Sequence, residues 1–201
     1  KYKKATTSLP GGCLIGARPV NFHLNALGKL GMTHSIKKGY IYANAHKGLK
    51  GSIIKFPKIS VGATENAILA ATLAKGKTVL KNCAIEPEIK IDLTNFLNKA
   101  GAKIKWIGKR SVEINGVKKL NSISHSVMAD RIECGTFCVV AAISKGELKI
   151  NGLDPNIITT EIKLLKKIGA KIKTYDKTIL IKGPKKIKSL KFLETKEYDG
   201  F

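Results

Sequence analysis

A repeat of about seventy residues constrains this chain more than any other feature. Lys29-Leu30-Gly31-Met32, Lys99-Ala100-Gly101-Ala102-Lys103-Ile104 and Lys167-Ile168-Gly169-Ala170-Lys171-Ile172 share one pattern, and their glycines fall 70 and then 68 residues apart. A second marker agrees. Ala70-Ala71-Thr72-Leu73-Ala74-Lys75-Gly76 matches Val140-Ala141-Ala142-Ile143-Ser144-Lys145-Gly146, again 70 residues apart. Two markers with one period indicate copies of a single supersecondary unit, none of which buries its apolar face alone.

Each unit reads as helix, strands, helix, strand. The first helix closes at the glycine marker, where a glycine just past a C-terminus belongs. Val20, Leu24 and Leu27 share a helical face in the first unit; Ile158, Ile162, Leu165 and Ile168 do so in the third. Alternating strands are predicted at 40–45 and 51–56, at 103–107 and 111–115, and at 171–175 and 178–182. A second helix is predicted over 63–74 and over 131–144, with closing strands over 78–82 and 148–151. The second helices carry apolar residues on most faces, which predicts burial between sheets. The third unit reaches Phe201 without a second helix, so the sequence reads as part of a longer protein that extends at both ends. The fold class is mixed α/β (α+β).

The chain has 201 residues and 43% hydrophobic content, enough for one large core or two small ones. Its net charge of +23 invites a nucleic-acid reading, but the arginines are only Arg18, Arg110 and Arg131 against 34 lysines. Phosphate and base readers lean on the arginine fork. The lysines are also scattered as on solvated faces, so nucleic acid is not the expected partner. No apolar run has the length of a membrane span, and no secretory leader follows the N-terminal lysines. A cytoplasmic protein is expected. Cys13, Cys83, Cys134 and Cys138 form no metal-ligand spacing and read as free thiols.

Chemistry concentrates in Leu9-Pro10-Gly11-Gly12-Cys13-Leu14-Ile15-Gly16-Ala17-Arg18-Pro19-Val20-Asn21-Phe22-His23. Glycines let a backbone approach a ligand closely. Pro19 suits the first turn of a helix. Helix-start amides and a guanidinium together make a phosphate or carboxylate site. A thiol beside such a site is a nucleophile or proton donor; equally, a lone cysteine on a glycine-rich loop is often a small buried apolar residue.

This loop, with Ser60-Val61-Gly62-Ala63-Thr64-Glu65-Asn66, Glu86-Pro87-Glu88-Ile89 and Asp130-Arg131-Ile132-Glu133-Cys134-Gly135-Thr136-Phe137, resembles the UDP-N-acetylglucosamine 1-carboxyvinyltransferases, a family of enolpyruvyl transferases. The resemblance implies an inverted α/β barrel of two domains, each with three units of two helices and a four-stranded sheet. It implies that residues 1–128 are most of the first domain and 129–201 begin the second, with a hinge near Met128–Arg131. The implied reaction moves the enolpyruvyl group of phosphoenolpyruvate onto the 3-hydroxyl of UDP-N-acetylglucosamine, the first committed step of peptidoglycan synthesis, with no cofactor or metal. Cys13 matches the family's proton donor, the residue alkylated by fosfomycin. Arg18, Pro19, Val20, Asn21 and Phe22 match one segment lining the nucleotide sugar; Lys58, Ile59, Ser60 and Val61 match the second.

Two departures stand out. Asn21 replaces the family's usual aspartate, and Ile85 an arginine, with one extra residue near Lys90-Ile91. The family's catalytic aspartate is expected just beyond Phe201, so Asp199 is not that residue. The lysine and arginine that grip phosphoenolpyruvate are expected before Lys1. Alternatives are transfer to another acceptor alcohol, or a non-catalytic basic paralogue that binds nucleic acid. No oligomeric state is implied. His23 reads as a hydrogen-bonded structural residue, Cys134 and Cys138 as packing, Trp106 as core or sheet surface, and Glu86, Glu88, Asp130 and Glu133 as structural or hinge groups. His34, His46 and His125 have no partner evident in the sequence.

Overall fold

The structure, a computed structural model, describes residues 3–11 and 20–198. The chain divides into two compact units, residues 1–125 and 126–201. Each has its own apolar core.

One topology recurs three times. A strand, a helix and a hairpin make an antiparallel sheet in which the last strand lies in the middle. In the first copy β1 (Lys4–Ser8) and β2 (Thr33–Lys37) flank β3 (Tyr40–Asn44), and α1 (Asn21–Lys29) connects β1 to β2. β4 (Ile53–Lys55) and the helix α2 (Val61–Thr72) follow. In the second copy, β5 (Lys77–Lys81) and β6 (Lys103–Gly108) flank β7 (Ser111–Asn115), with α3 (Thr94–Lys99) as the connecting helix. The helix α4 (Arg131–Ile143) leads into the third. There β8 (Glu147–Asn151) and β9 (Lys171–Tyr175) flank β10 (Thr178–Lys182), connected through α5 (Thr159–Lys167). β4 pairs parallel with β5, so the middle sheet has four strands and the other two have three. After β7 the run Asn121-Ser122-Ile123-Ser124-His125-Ser126 forms no strand. Asn and Ser side chains there compete for backbone hydrogen bonds and leave little to pack on a pleat.

The hydrophobic faces explain the elements. Ile104, Val112, Ile114 and Leu80 alternate inward on the middle sheet and meet Ala63, Ala67, Ile68 and Ala71 of α2. Ile172, Ile179 and Ile181 do the same against Cys134, Cys138, Ala141 and Ala142 of α4. Small residues on the buried helix face let helix and sheet approach. The apolar composition of both second helices predicts burial on all sides, and within each unit this does not hold. Leu69 and Leu73 of α2, and Ile132, Phe137, Val140 and Ile143 of α4, are exposed, because the core sheet of each unit covers one helix face.

Each glycine of the second marker meets a further glycine at a strand end. Gly116, just past β7, donates its N–H to the Gly76 carbonyl at 2.9 Å, and Gly183, just past β10, donates to the Gly146 carbonyl at 2.8 Å. A Cβ at Gly116 would overlap the Ala74 carbonyl oxygen, and one at Gly183 the Ala141 carbonyl oxygen. Both glycines are therefore required where a strand end presses on the C-terminus of a second helix. The extra residue near Lys90-Ile91 falls in a π-helical turn over Glu88–Leu93 that leads into α3. One added residue inside a helix is commonly absorbed this way. Thr94 Oγ1 donates to the Ile89 carbonyl five residues back (3.0 Å) and accepts from Trp106 Nε1 (3.1 Å), which seats Trp106 half-buried on the core.

α1 lies against α2. His23 Nδ1 and Asn66 Nδ2 are 2.6 Å apart, and the Gly62 position leaves room for the His23 ring, whose Cε1 would be 3.1 Å from a Cβ there. The amide donates, so His23 is neutral with its proton on Nε2. Burial lowers the His23 pKa below its ordinary 6.5. Stability from this joint is therefore complete above pH 6.5 and is lost as pH falls through the depressed folded value.

Gly116→Ala should cost about 1–3 kcal/mol of stability, read as a lower urea midpoint, because the displaced atom is backbone. Gly28→Ala, inside α1 where a Cβ meets nothing within 4 Å, should add about 0.5–1 kcal/mol of stability, read as a higher urea midpoint. Acidification from about pH 7.5 to about 5.5, a window that spans the ordinary histidine pKa, should cost the native protein more stability than it costs His23→Gln; equal losses would remove His23 as the titrating group.

Candidate functional site

The two segments singled out for ligand contact are the starts of α1 and α2, which the His23–Asn66 bond holds side by side. Val20 precedes α1 without any side-chain cap, and Asn21 is the exposed first residue. Phe22 is half-buried and packs on the core. Lys58 is exposed, Ile59 packs partly on the core, and Val61 opens α2. Ser60 caps α2: its Oγ accepts the Ala63 N–H at 3.4 Å, and its carbonyl accepts the Thr64 hydroxyl at 2.8 Å. Cys13, Arg18 and Pro19 lie outside the described residues.

The electrostatics of these two starts are one-sided. Neither α1 nor α2 has an acidic residue in its first turn, whereas α4 has Glu133 and α5 has Glu161. Helix N-termini carry partial positive charge and unpaired N–H groups. Two such ends with no first-turn carboxylate, and Lys58 just ahead of one of them, are suited chemically to an anion.

Behind the start of α2 runs the segment that follows β5. Ala84 N–H donates to Thr64 Oγ1 at 3.1 Å, Asn82 Nδ2 donates to the Phe56 carbonyl at 2.9 Å, and Arg110 Nη1 donates to the Cys83 carbonyl at 3.1 Å. These bonds tie the end of β4, and hence Pro57-Lys58, to the end of β5. Ile85 is buried, so this departure places an apolar side chain in the core. Glu86 is 8% exposed, and its Oε2 has no hydrogen-bond partner among the described residues. Burial raises the Glu65 carboxyl above its ordinary value, and the charges of Glu88 and Glu86 raise it further.

Other candidates resolve into structure. Asp130 caps α4, accepting the N–H groups of Ile132 (2.7 Å) and Glu133 (3.2 Å), so its carboxylate is occupied in holding a helix end. Cys83, Cys134 and Cys138 are buried; burial pushes the Cys83 and Cys138 thiols up to about 12 and raises Cys134 as well. His125 has a partner that its sequence position hides: its Nε2 lies 2.9 Å from Asp92 Oδ1 on the π-helical turn, and the Phe96 ring meets it edge-on. Only the topology brings residues 92 and 125 together. No group of three metal-ligating side chains occurs among the described residues, and none of their helices is long and apolar enough to cross a membrane.

Known proteins share this arrangement. UDP-N-acetylglucosamine 1-carboxyvinyltransferase of Pelagibacter ubique is 59% identical over all 201 residues, which cover 48% of that protein. The proteins of the same name from Rickettsia akari and Geotalea uraniireducens are 47% and 44% identical over the same span, again 48% of each. The chain thus spans about half the length of the curated relatives it matches. Among solved structures, the enolpyruvyl transferase NikO from Streptomyces tendae superposes with a TM-score of 0.76 at 21% identity, over 92% of this chain and 44% of that one. EPSP synthase from Acinetobacter baumannii superposes with a TM-score of 0.64 at 24% identity, over 86% and 41%. These likenesses show the fold. The family model described as EPSP synthase (3-phosphoshikimate 1-carboxyvinyltransferase) matches residues 1–195, nearly the whole chain, and the chain belongs to that family of enolpyruvyl transferases.

Proposed function

We propose that the protein to which this chain belongs transfers the enolpyruvyl group of phosphoenolpyruvate to the 3-hydroxyl of UDP-N-acetylglucosamine and releases phosphate. The observation that carries the reading is the pair of acid-free helix starts at Asn21 and Val61, side by side and preceded by Lys58. A diphosphate is the anion such a pair suits. The identity of 44% to 59% to relatives that bear the name of this activity supports the choice of acceptor.

Arg18, Pro19, Val20, Asn21 and Phe22 form one wall for the nucleotide sugar in this reading, and Lys58, Ile59, Ser60 and Val61 the other. Ser60 combines two roles. Its hydroxyl caps Ala63, which leaves the N–H groups of Val61 and Gly62 for the ligand. Asn21 keeps a hydrogen-bonding side chain there without the charge that would repel a diphosphate.

Cys13 is the acid. It gives a proton to the methylene carbon of phosphoenolpyruvate, the neighbouring carbon becomes electrophilic, and the sugar hydroxyl adds to it while losing its own proton. A base then takes a proton from the new methyl group, the carbon–oxygen bond to phosphate breaks, and the enol ether remains on the sugar. A thiol with an ordinary pKa of about 8.5 is protonated at neutral pH yet yields its proton readily. The other three thiols are committed to cores, and their pKa values are raised, which makes them poor donors. Residues 1–128 belong to one domain and 129–201 begin the other in this reading; the boundary between compact units after His125 supports it.

Phosphate release from phosphoenolpyruvate by the full-length protein should require UDP-N-acetylglucosamine. Cys13→Ser should abolish it, Cys13→Asp should retain it, and fosfomycin should alkylate Cys13, visible as added mass on its peptide. An active Cys13→Ser would overturn the assignment of the acid. Lys58→Ala should raise the KM for the nucleotide sugar by about tenfold, the worth of one charge-assisted contact, with kcat changed far less. A fall confined to kcat would remove Lys58 from ground-state binding.

A further inference from the structure

A groove of about 590 Å³ runs between α1 and β4. Its floor is apolar and rigid: Leu24, Ala26, Ile54 and Phe56 are all buried in or beside the first core. Its rim carries Lys29, Lys55 and His34, and no carboxylate lines it among the described residues. Neither lysine is in an ion pair among the described residues. Gly28 forms part of the α1 wall, where a glycine in a helix interior is less favourable than alanine. No close contact explains it, since a Cβ there meets nothing within 4 Å. The missing side chain leaves the groove open.

We infer that this groove is a binding site for a small anion with an apolar body, an aryl or alkyl phosphate or carboxylate. The apolar part lies on Phe56 and Ile54, and the charged end meets Lys29 and Lys55. Floor and rim fit no other ligand class as well. A cation lacks an acidic partner, and a neutral polar molecule would desolvate against Leu24 and Phe56 with little hydrogen bonding in return. A pocket in the second unit, lined by Asp154, Asp176 and Lys177, differs in kind: it is mixed in charge and lacks an apolar floor.

The groove is separate from the anion-facing helix starts but reaches Phe22 and Pro57, next to both. Occupancy would fix Phe22 at the start of α1, so an anion bound here should alter nucleotide-sugar affinity without competing for it. That last step rests on the proposed nucleotide-sugar walls; the groove itself does not.

Phenyl phosphate is the probe, with benzyl alcohol as its neutral counterpart, followed by saturation-transfer NMR and isothermal titration on the full-length protein. Saturable binding of phenyl phosphate at least tenfold tighter than benzyl alcohol is expected. Gly28→Leu should fill the groove and weaken phenyl phosphate at least tenfold, with a thermal midpoint no lower than the native one reporting an intact fold. Lys29→Ala with Lys55→Ala should erase the preference for the anion. The inference fails if phenyl phosphate does not bind, if Gly28→Leu binds it normally, or if benzyl alcohol binds equally well. It also fails if UDP-N-acetylglucosamine displaces the probe, since the groove would then be part of the nucleotide-sugar site. All four readouts are independent of turnover, so loss of the enolpyruvyl-transfer reading would leave them intact.

Discussion

The first unit depends on how α1 is held against α2. Ala26 of α1 shares one apolar core with Ala63, Ala67 and Ala71 of α2, and at its edge one hydrogen bond joins His23 to Asn66 while a glycine at position 62 leaves space for the imidazole. This joint sets two helix starts side by side, and helix starts are where backbone N–H groups lack partners. Burial of the His23 ring lowers its pKa and so favours the neutral form, which adds no charge beside the two helix starts. The residues that would ordinarily satisfy such ends, acidic side chains in the first turn, are absent from both helices. The partial positive charge of the two ends thus meets no first-turn carboxylate within the unit.

The second constraint is the repeat. Gly116 and Gly183 receive no side chain because a strand end crosses the C-terminus of a second helix there, and the partner carbonyls belong to Gly76 and Gly146, the glycines that mark the repeat in the sequence. The same contact sets each hairpin's middle strand against its second helix. One geometric requirement, met twice, fixes glycine at 116 and 183 and ties each to the second marker of its own unit.

Much of this is legible in the sequence. The alternation of Ser111–Asn115, Lys171–Tyr175 and Thr178–Lys182 locates those strands to the residue, since one face of each is buried. Lys4–Ser8 and Thr33–Lys37 are not legible because they are exposed along their length; their register comes from Tyr40–Asn44 between them. The π-helical turn leaves a trace as one surplus residue, but the local sequence does not distinguish a π turn from a longer loop. The exposed faces of α2 and α4 escape the sequence for a different reason. Composition reports that a helix has apolar sides, not how many sheets cover it. Of the candidate site, Lys58-Ile59-Ser60-Val61 is reached only through the family resemblance, since the apolar pattern starts the helix at residue 63 and leaves its capped first turn out. The pairing of His125 with Asp92 is not, since nothing in the 33 residues that separate them encodes it locally.

The distribution of carboxylates then makes sense as a division of labour. Acids are kept out of the first turns of α1 and α2, but Glu65, Glu86 and Glu88 gather one layer behind, where burial and mutual repulsion raise the Glu65 carboxyl. A raised carboxyl holds its proton to higher pH and so projects less negative charge toward the helix starts than an ordinary one would. The Thr64 hydroxyl separates the two layers by bridging the Ala84 N–H and the Ser60 carbonyl. Positive helix ends in front, with a Glu65 carboxyl behind them that is raised by burial and by its acidic neighbours, suit an anion better than three ordinary glutamates close by would suggest. The net charge of +23 is therefore a poor guide to the site. What suits the two helix starts to the proposed anion is the absence of first-turn acids, not the number of lysines on the surface.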